Sequence, residues 1–130
     1  MSRLPGIGTF TEMDFDDAVE ATRRALTDRG FSILHEIDLA ATLKNETGRD
    51  IERVLILGAC KPGFVGQAFD INKDVALLMP SAVVVRESGG GSVVEAQNPA
   101  LLPRVISGGL QDLADELSAE MRSMLNDLSH

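Results

Sequence analysis

Residues 54–62 constrain the fold of this chain more than any other segment. They read Val-Leu-Ile-Leu-Gly-Ala-Cys-Lys-Pro, an apolar run that ends in glycine and then proline. Such a run predicts a buried β-strand. A proline just after it fits the first position of a helix, where its missing N–H would have no partner. The segment therefore predicts a strand that turns sharply into a helix, with Cys60, the only cysteine, at the turn.

Strand and helical periods alternate along the first half of the chain. Asp14 and Asp38 stand where N-cap residues belong, and Gly30 and Gly48 stand where helices end. The alternation predicts, in chain order, an edge strand at 5–11, a helix at 15–29, a strand at 31–37, a short helix at 39–46, the strand at 53–59 and a helix from Pro62. The buried face of that last helix is predicted to consist of Phe64, Val65, Ala68 and Phe69.

The second half of the chain predicts a hairpin and a long terminal helix. After an apolar segment at 75–79, two strand-like segments at 82–87 and 92–96 flank a run of three glycines, which is typical of a β-hairpin. From Gly109 onward, apolar residues recur every three or four positions: Leu110, Leu113, Leu117, Met121, Met124 and Leu128. This stripe predicts an amphipathic helix packed on the core, and a partner-binding helix is the alternative.

Composition limits the classes of protein to which the chain can belong. A chain of 130 residues that is 44% hydrophobic fits one domain, residues 1–130, with a core large enough to need no disulfide. A single cysteine and the lack of a secretory-type start predict a cytoplasmic location. A net charge of −8 argues against nucleic acid and anionic membrane surfaces as partners. The apolar runs are also shorter than the ~20 residues of a membrane span.

Three blocks of sequence resemble a known family. Residues 36–44 (Glu-Ile-Asp-Leu-Ala-Ala-Thr-Leu-Lys), residues 56–62 and residues 77–87 (Leu-Leu-Met-Pro-Ser-Ala-Val-Val-Val-Arg-Glu) resemble, in order, the signature blocks of the domain of unknown function 302 family. The resemblance implies an α/β (α+β) domain of two layers, with a curved, largely antiparallel sheet backed by helices, similar to TATA-binding-protein-like folds. It also implies a homodimer, and it implies no particular activity.

One position departs from that family pattern. Many relatives that look like this chain have a second cysteine directly after the Leu-Leu-x-Pro motif, where this chain has Ser81. The departure argues against a paired-thiol or two-cysteine metal site, so no metal is predicted. Likeness to a DNA-binding fold carries no functional weight by itself, and the acidic charge argues against that function.

The candidate site residues each have a functional and a structural interpretation. Cys60 could be a catalytic nucleophile if helix amides and Lys61 lower the pKa of its thiol, or it could simply be a small buried apolar residue. Glu36 and Lys44 could face one cleft and bind a polar ligand as complementary charges. The alternative is that they form a solvent-exposed surface pair.

The sequence thus predicts a small-molecule-binding or metabolite-binding homodimer whose pocket is lined by Cys60, Ser81, Glu36 and Lys44. The alternative is a thiol-based enzyme, or a sulfur or redox relay, that uses Cys60. No Gly-x-Ser-x-Gly, His-Glu-x-x-His or Cys-x-x-Cys motif is present, so hydrolase and structural zinc functions have no support in the sequence. The sequence identifies no cofactor and leaves open whether the protein is an enzyme.

Overall fold

A computed structural model describes residues 6–129 of the chain. Five strands and five helices follow one another, with two short 3-10 helices at Lys73–Leu78 and Pro99–Leu101. The strands are β1 (Gly6–Thr11), β2 (Ser32–Asp38), β3 (Val54–Cys60), β4 (Ser81–Ser88) and β5 (Gly91–Gln97). The helices are α1 (Phe15–Asp28), α2 (Leu39–Thr47), α3 (Pro62–Ile71), α4 (Leu102–Val105) and α5 (Gln111–Leu128).

The strands form one five-stranded sheet in the order β1-β5-β4-β3-β2, and every neighbouring pair is antiparallel. The α+β architecture predicted from the sequence is therefore confirmed. β4 and β5 form the predicted hairpin. Its two-residue turn uses Gly89 and Gly90, both at positive φ, a conformation that glycine adopts without the steric penalty of other residues.

Only one face of the sheet contributes to the hydrophobic core. On β4 and β5 alternate residues are buried, and these pack with Leu57 and Ala59 of β3 and with apolar side chains from α1, α3 and α5. We call the opposite side the open face. The buried-face pairs on the central strands include Leu57 with Val83, Val85 with Val94, and Val83 with Ala96.

The helix boundaries follow the local signals in the sequence. The Asp14 and Asp38 carboxylates accept hydrogen bonds from the Asp17 and Ala41 amides, both at 2.9 Å, which confirms the two predicted N-caps. Pro62 is the first residue of α3, as predicted. Among the helices of residues 6–129, none is long and apolar enough to cross a membrane.

α5 packs on the core along its apolar stripe, as predicted. Its buried side chains, together with the preceding Leu110, are 4% exposed or less: Leu110, Ala114, Leu117, Met121, Met124, Leu125 and Leu128. One sequence prediction needs correction. Phe69 of α3 is 41% exposed instead of buried, because the core-facing side of that short helix is already filled by Phe64 and Ala68. The apolar segment at 75–79 lies largely in a 3-10 helix.

The predicted edge strand at 5–11 is β1, which lies at one edge of the sheet. Pro5 lies outside the described residues. The opposite edge is β2, where the register shifts between Ile33 and His35 at a β-bulge around Leu34. A bulge adds one residue to one strand and so changes which face the following side chains occupy.

Candidate functional site

Cys60 and Ser81 lie on opposite faces of the sheet. Ser81 pairs with Ala59 across β3 and β4, and its side chain is only 6% exposed on the core side. Cys60 is the residue after Ala59, so its side chain points to the open face, where its partner on β2 is Ser32. The structure therefore does not bring the Cys60 thiol and the Ser81 hydroxyl into one pocket.

Glu36 faces helix α1. Its two carboxylate oxygens accept hydrogen bonds from the Arg23 guanidinium at 2.6 and 2.7 Å. These hydrogen bonds lower the pKa of the Glu36 carboxyl, against a smaller opposing effect of desolvation. Because the side chain stays about one third exposed, the pair contributes at most about 1 kcal/mol to stability.

Lys44 is also engaged elsewhere. Its ammonium contacts the Asp50 carboxylate at 2.9 Å, and both side chains are mostly exposed. Glu36 and Lys44 thus each bind a different partner, and the structure does not place them in a common cleft. Their roles as ligand-binding residues stay predictions, as does that of Ser81.

Partial burial at Cys60 acts against a thiolate. It raises the pKa of the thiol above its ordinary value. A thiol with a raised pKa is almost fully protonated at neutral pH, whereas a nucleophilic cysteine needs a lowered pKa. The role of Cys60 as a nucleophile stays a prediction, and this burial does not support it.

We expect Cys60 in the folded protein to be alkylated by iodoacetamide more slowly than in the same protein unfolded in urea. The pH dependence of the folded-state rate should give a pKa above the ordinary ~8.5, because burial disfavours the charged form. The unfolded chain is the matched control, since it carries the same thiol without the burial. A folded-state pKa below the control value would contradict this prediction and support the role of Cys60 as a nucleophile.

The residues just after Cys60 line a groove of about 770 Å³ between α3 and α5. Its apolar part contains Phe64 and Leu117, which are 8% and 4% exposed, together with Leu113. The other residues that line it come from α3 and its N-cap, from α5 and from the turn after α1: Gly30, Lys61, Pro62, Gly63, Gln67, Glu116, Ala119, Glu120 and Ser123. None of the four residues predicted from sequence lines it.

An ion pair lies at the edge of this groove. The Lys61 ammonium contacts the Glu120 carboxylate at 3.0 Å and lies 5.3 Å from the centre of the Phe31 ring. The Lys61 side chain remains 27% exposed and that of Glu120 41% exposed. Both charges are therefore accessible from solvent, and a polar group that enters the groove can compete for either of them.

The first turn of α3 also lines the groove. Lys61 is its N-cap residue, Pro62 is its first residue, and no described side chain caps this end. The amides of Gly63 and Phe64 therefore retain hydrogen-bonding capacity that a side-chain cap would have used. The groove thus combines an apolar floor with charged and hydrogen-bonding groups at its edge.

The sequence predicts only part of this groove. It predicts the turn at 58–62, where a strand meets the start of a helix, but it indicates Lys61 only as a neighbour of the Cys60 thiol. It indicates Leu113 and Leu117 only as part of the apolar stripe of α5, because nothing local shows that α3 packs beside them. Within residues 6–129, no group of three or more metal-ligating side chains comes together.

The comparison with protein families gives a match over most of the chain. The family described as "Domain of unknown function DUF302" matches residues 8–128. The chain belongs to this family. The membership confirms the resemblance that the three sequence blocks carry, and the DUF302 match includes every described strand except the first two residues of β1.

A solved DUF302 structure has the same fold. It is the crystal structure of an uncharacterized conserved protein DUF302 from Bacillus stearothermophilus, with a TM-score of 0.89 and 19% sequence identity. The alignment covers 98% of this chain and 99% of that one. At this identity the likeness establishes the fold of the DUF302 domain alone. No protein with a curated description matches this chain.

Proposed function

We propose that this DUF302 domain is a cytoplasmic homodimer that binds a small, largely apolar molecule in the groove between α3 and α5. The observation that carries the proposal is the combination of an apolar floor, formed by Phe64 and Leu117, with the accessible Lys61–Glu120 ion pair. Small-molecule sites are typically concave and mostly apolar, with a few polar groups that fix the ligand's orientation.

The volume and the charges of the groove define the class of ligand. About 770 Å³ is within the range of sites for drug-sized molecules. One lysine and two glutamates, Glu116 and Glu120, line the groove. An amphiphilic molecule would place its apolar body on the floor and its polar group beside Lys61. The single free thiol, Cys60, supports the cytoplasmic part of the proposal.

The thiol-based alternative has weaker support. A relay or nucleophile at Cys60 requires a stabilised thiolate, and burial shifts the pKa of this thiol in the opposite direction. The Cys60 side chain also points to the open face, whereas the groove is built from helices on the other side of the sheet.

Blocking the groove tests the proposal. The probe is 8-anilinonaphthalene-1-sulfonate, an aromatic anion whose fluorescence rises in apolar surroundings. Ala119 is exposed and lines the groove, so Ala119→Trp fills it without disturbing the core. We expect saturable binding by the wild-type protein and binding at least about tenfold weaker in the variant, since a filled site loses its apolar contacts.

Ala41→Trp is the matched control. Ala41 is also an exposed alanine on a helix, but it belongs to α2 and does not line the groove. This variant should bind the probe as the wild type does. Unchanged binding by Ala119→Trp, or equal loss in both variants, would show that the probe binds elsewhere and would refute the groove as the site.

A further inference from the structure

The open face of the sheet has a continuous row of side chains that crosses all five strands. The strand registers connect Gly8, Glu95, Val84, Ile56 and Ile37, each paired with the next. These residues alternate with the core-facing ones and therefore point away from α1, α3 and α5. The open face is thus a continuous surface about five strands wide.

This face is more apolar than a solvated sheet face. Antiparallel sheets with one face in water usually carry polar side chains there. Here small and apolar residues that are not buried occupy many of the open-face positions: Gly6, Gly8, Phe10, Ile37, Ile56, Ala82, Val84 and Val93. Phe10 and Ile37 are 48% and 41% exposed. A contiguous apolar patch of this extent is typical of an interaction surface.

The charges favour a second copy of the chain as the occupant. The whole chain has a net charge of −8, yet, besides the His35 imidazole, the open-face positions of the strands carry one cation, Arg86, and one anion, Glu95, which lie 3.7 Å apart. Two acidic copies that meet through this neutral face avoid the repulsion that their other surfaces would produce. A two-fold arrangement also allows Arg86 of each copy to approach Glu95 of the other.

The size of the face suits an interface between two copies. Five strands about 4.8 Å apart and about seven residues long give about 550 Å² in projection, and side-chain relief raises the accessible area above that value. A specific interface usually buries more than about 1,000 Å² in total, and two such faces together exceed that value. The face is therefore large enough for a specific contact.

The open face carries both a hollow and projecting side chains, so its shape allows it to pack against a copy of itself. A hollow of about 330 Å³ lies over Ala82 and is bordered by Val84, Glu95 and Gln97. The exposed side chains of Phe10 and Ile37 project from the same face. A two-fold axis brings each patch onto the matching patch of the other copy, so that projections on one copy can enter hollows on the other.

We propose that two copies of the chain associate sheet on sheet through their open faces. This inference rests on the homodimer in the proposed function and specifies its interface. It places the ligand groove on the outer, helical side of each copy, so that ligand access does not require the copies to separate.

The first test introduces a charge at the centre of the face. Val84→Lys adds a second cation to the proposed interface, beside Glu95, which already contacts Arg86. Leu77→Lys is the matched control on a residue that is 82% exposed outside the sheet. Sedimentation equilibrium of both variants and the wild type measures self-association. We expect Val84→Lys to weaken it by at least about 100-fold, because an interface buries that charge twice, and Leu77→Lys to leave it unchanged.

Charge reversal gives a second, independent measurement. Arg86→Glu and Glu95→Arg should each weaken self-association, since each leaves two like charges on every face. The double variant should recover it. Circular dichroism on all variants shows that the monomer fold is kept, so that loss of the dimer is not loss of the fold.

The outcomes separate this inference from the proposed function. A wild-type dimer that both Val84→Lys and the single charge reversals leave intact would overturn the open-face interface and keep the dimer. A monomeric wild type would overturn both the interface and the homodimer, and would leave the face to another partner. Neither result affects the groove, which the fluorescence titration tests by itself.

Discussion

Deletion of residues 109–130 is expected to produce a chain that does not fold. The deleted segment includes six large apolar side chains that are 4% exposed or less: Leu110, Leu117, Met121, Met124, Leu125 and Leu128. Burial of each such side chain contributes about 1.5–3 kcal/mol. Their sum reaches the ~5–15 kcal/mol that separates a typical folded domain from its unfolded state. Without α5 the buried face of β1 and one side of α1 would also be exposed to water.

Circular dichroism and a thermal melt measure this effect directly. The truncated chain should show no cooperative transition. Arg122→Ala, at an exposed position of the same helix, is the control and should change the free energy of unfolding by no more than about 0.5 kcal/mol. If the truncated chain melted cooperatively, α5 would be dispensable for the core. The alternative interpretation of its stripe, as a surface for another protein, would then be the correct one.

The second large effect is expected from Gly91→Ala. Gly91 begins β5 directly beside β1, and a Cβ atom there would overlap the Thr11 carbonyl oxygen and lie 2.7 Å from Cζ of Phe10. The carbonyl belongs to the backbone, so it cannot rotate away as the end of a side chain can. β1 must therefore shift, and we expect the free energy of unfolding to fall by about 1–3 kcal/mol.

Gly66→Ala makes the same chemical change, but we expect it to raise the free energy of unfolding instead of lowering it. Gly66 lies inside α3, and a Cβ there meets nothing within 4 Å. Alanine should stabilise this position by about 0.5–1 kcal/mol because it restricts the unfolded chain and favours the helix. Urea unfolding with an unchanged m-value measures both effects. A similar loss of stability in the two variants would show that the close approach of β1 to Gly91 does not determine the result.

Much of the fold could be predicted because its signals are local. The caps at Asp14 and Asp38 and the turn at Gly89 and Gly90 depend on residues a few positions apart. The apolar stripe of α5 repeats every three or four residues within a single helix. Such signals determine where helices and strands begin and end. The observed ends of the predicted elements lie within one or two residues of the predicted ends.

The candidate site could not be predicted in the same way, because it depends on which elements pack together. Cys60 and Ser81 both lie at strand ends, but their registers place them on opposite faces. Glu36 lies beside Arg23 only because α1 crosses β2. Lys61 and Glu120 lie far apart in the sequence, and their contact requires α3 and α5 to be neighbours. No local pattern contains that information.

The strand order also determines when the chain can complete its fold during synthesis. Both edges of the sheet, β1 and β2, come from the N-terminal third, whereas the three strands between them are made later. β1 is the first of the five strands to be made, yet in the described sheet it pairs with β5, the last. α5, which is made after all five strands, closes the core over both. Contacts between residues far apart in the sequence form slowly. β1 therefore stays without its strand partner until β5 has been made, and the core stays open until α5 follows.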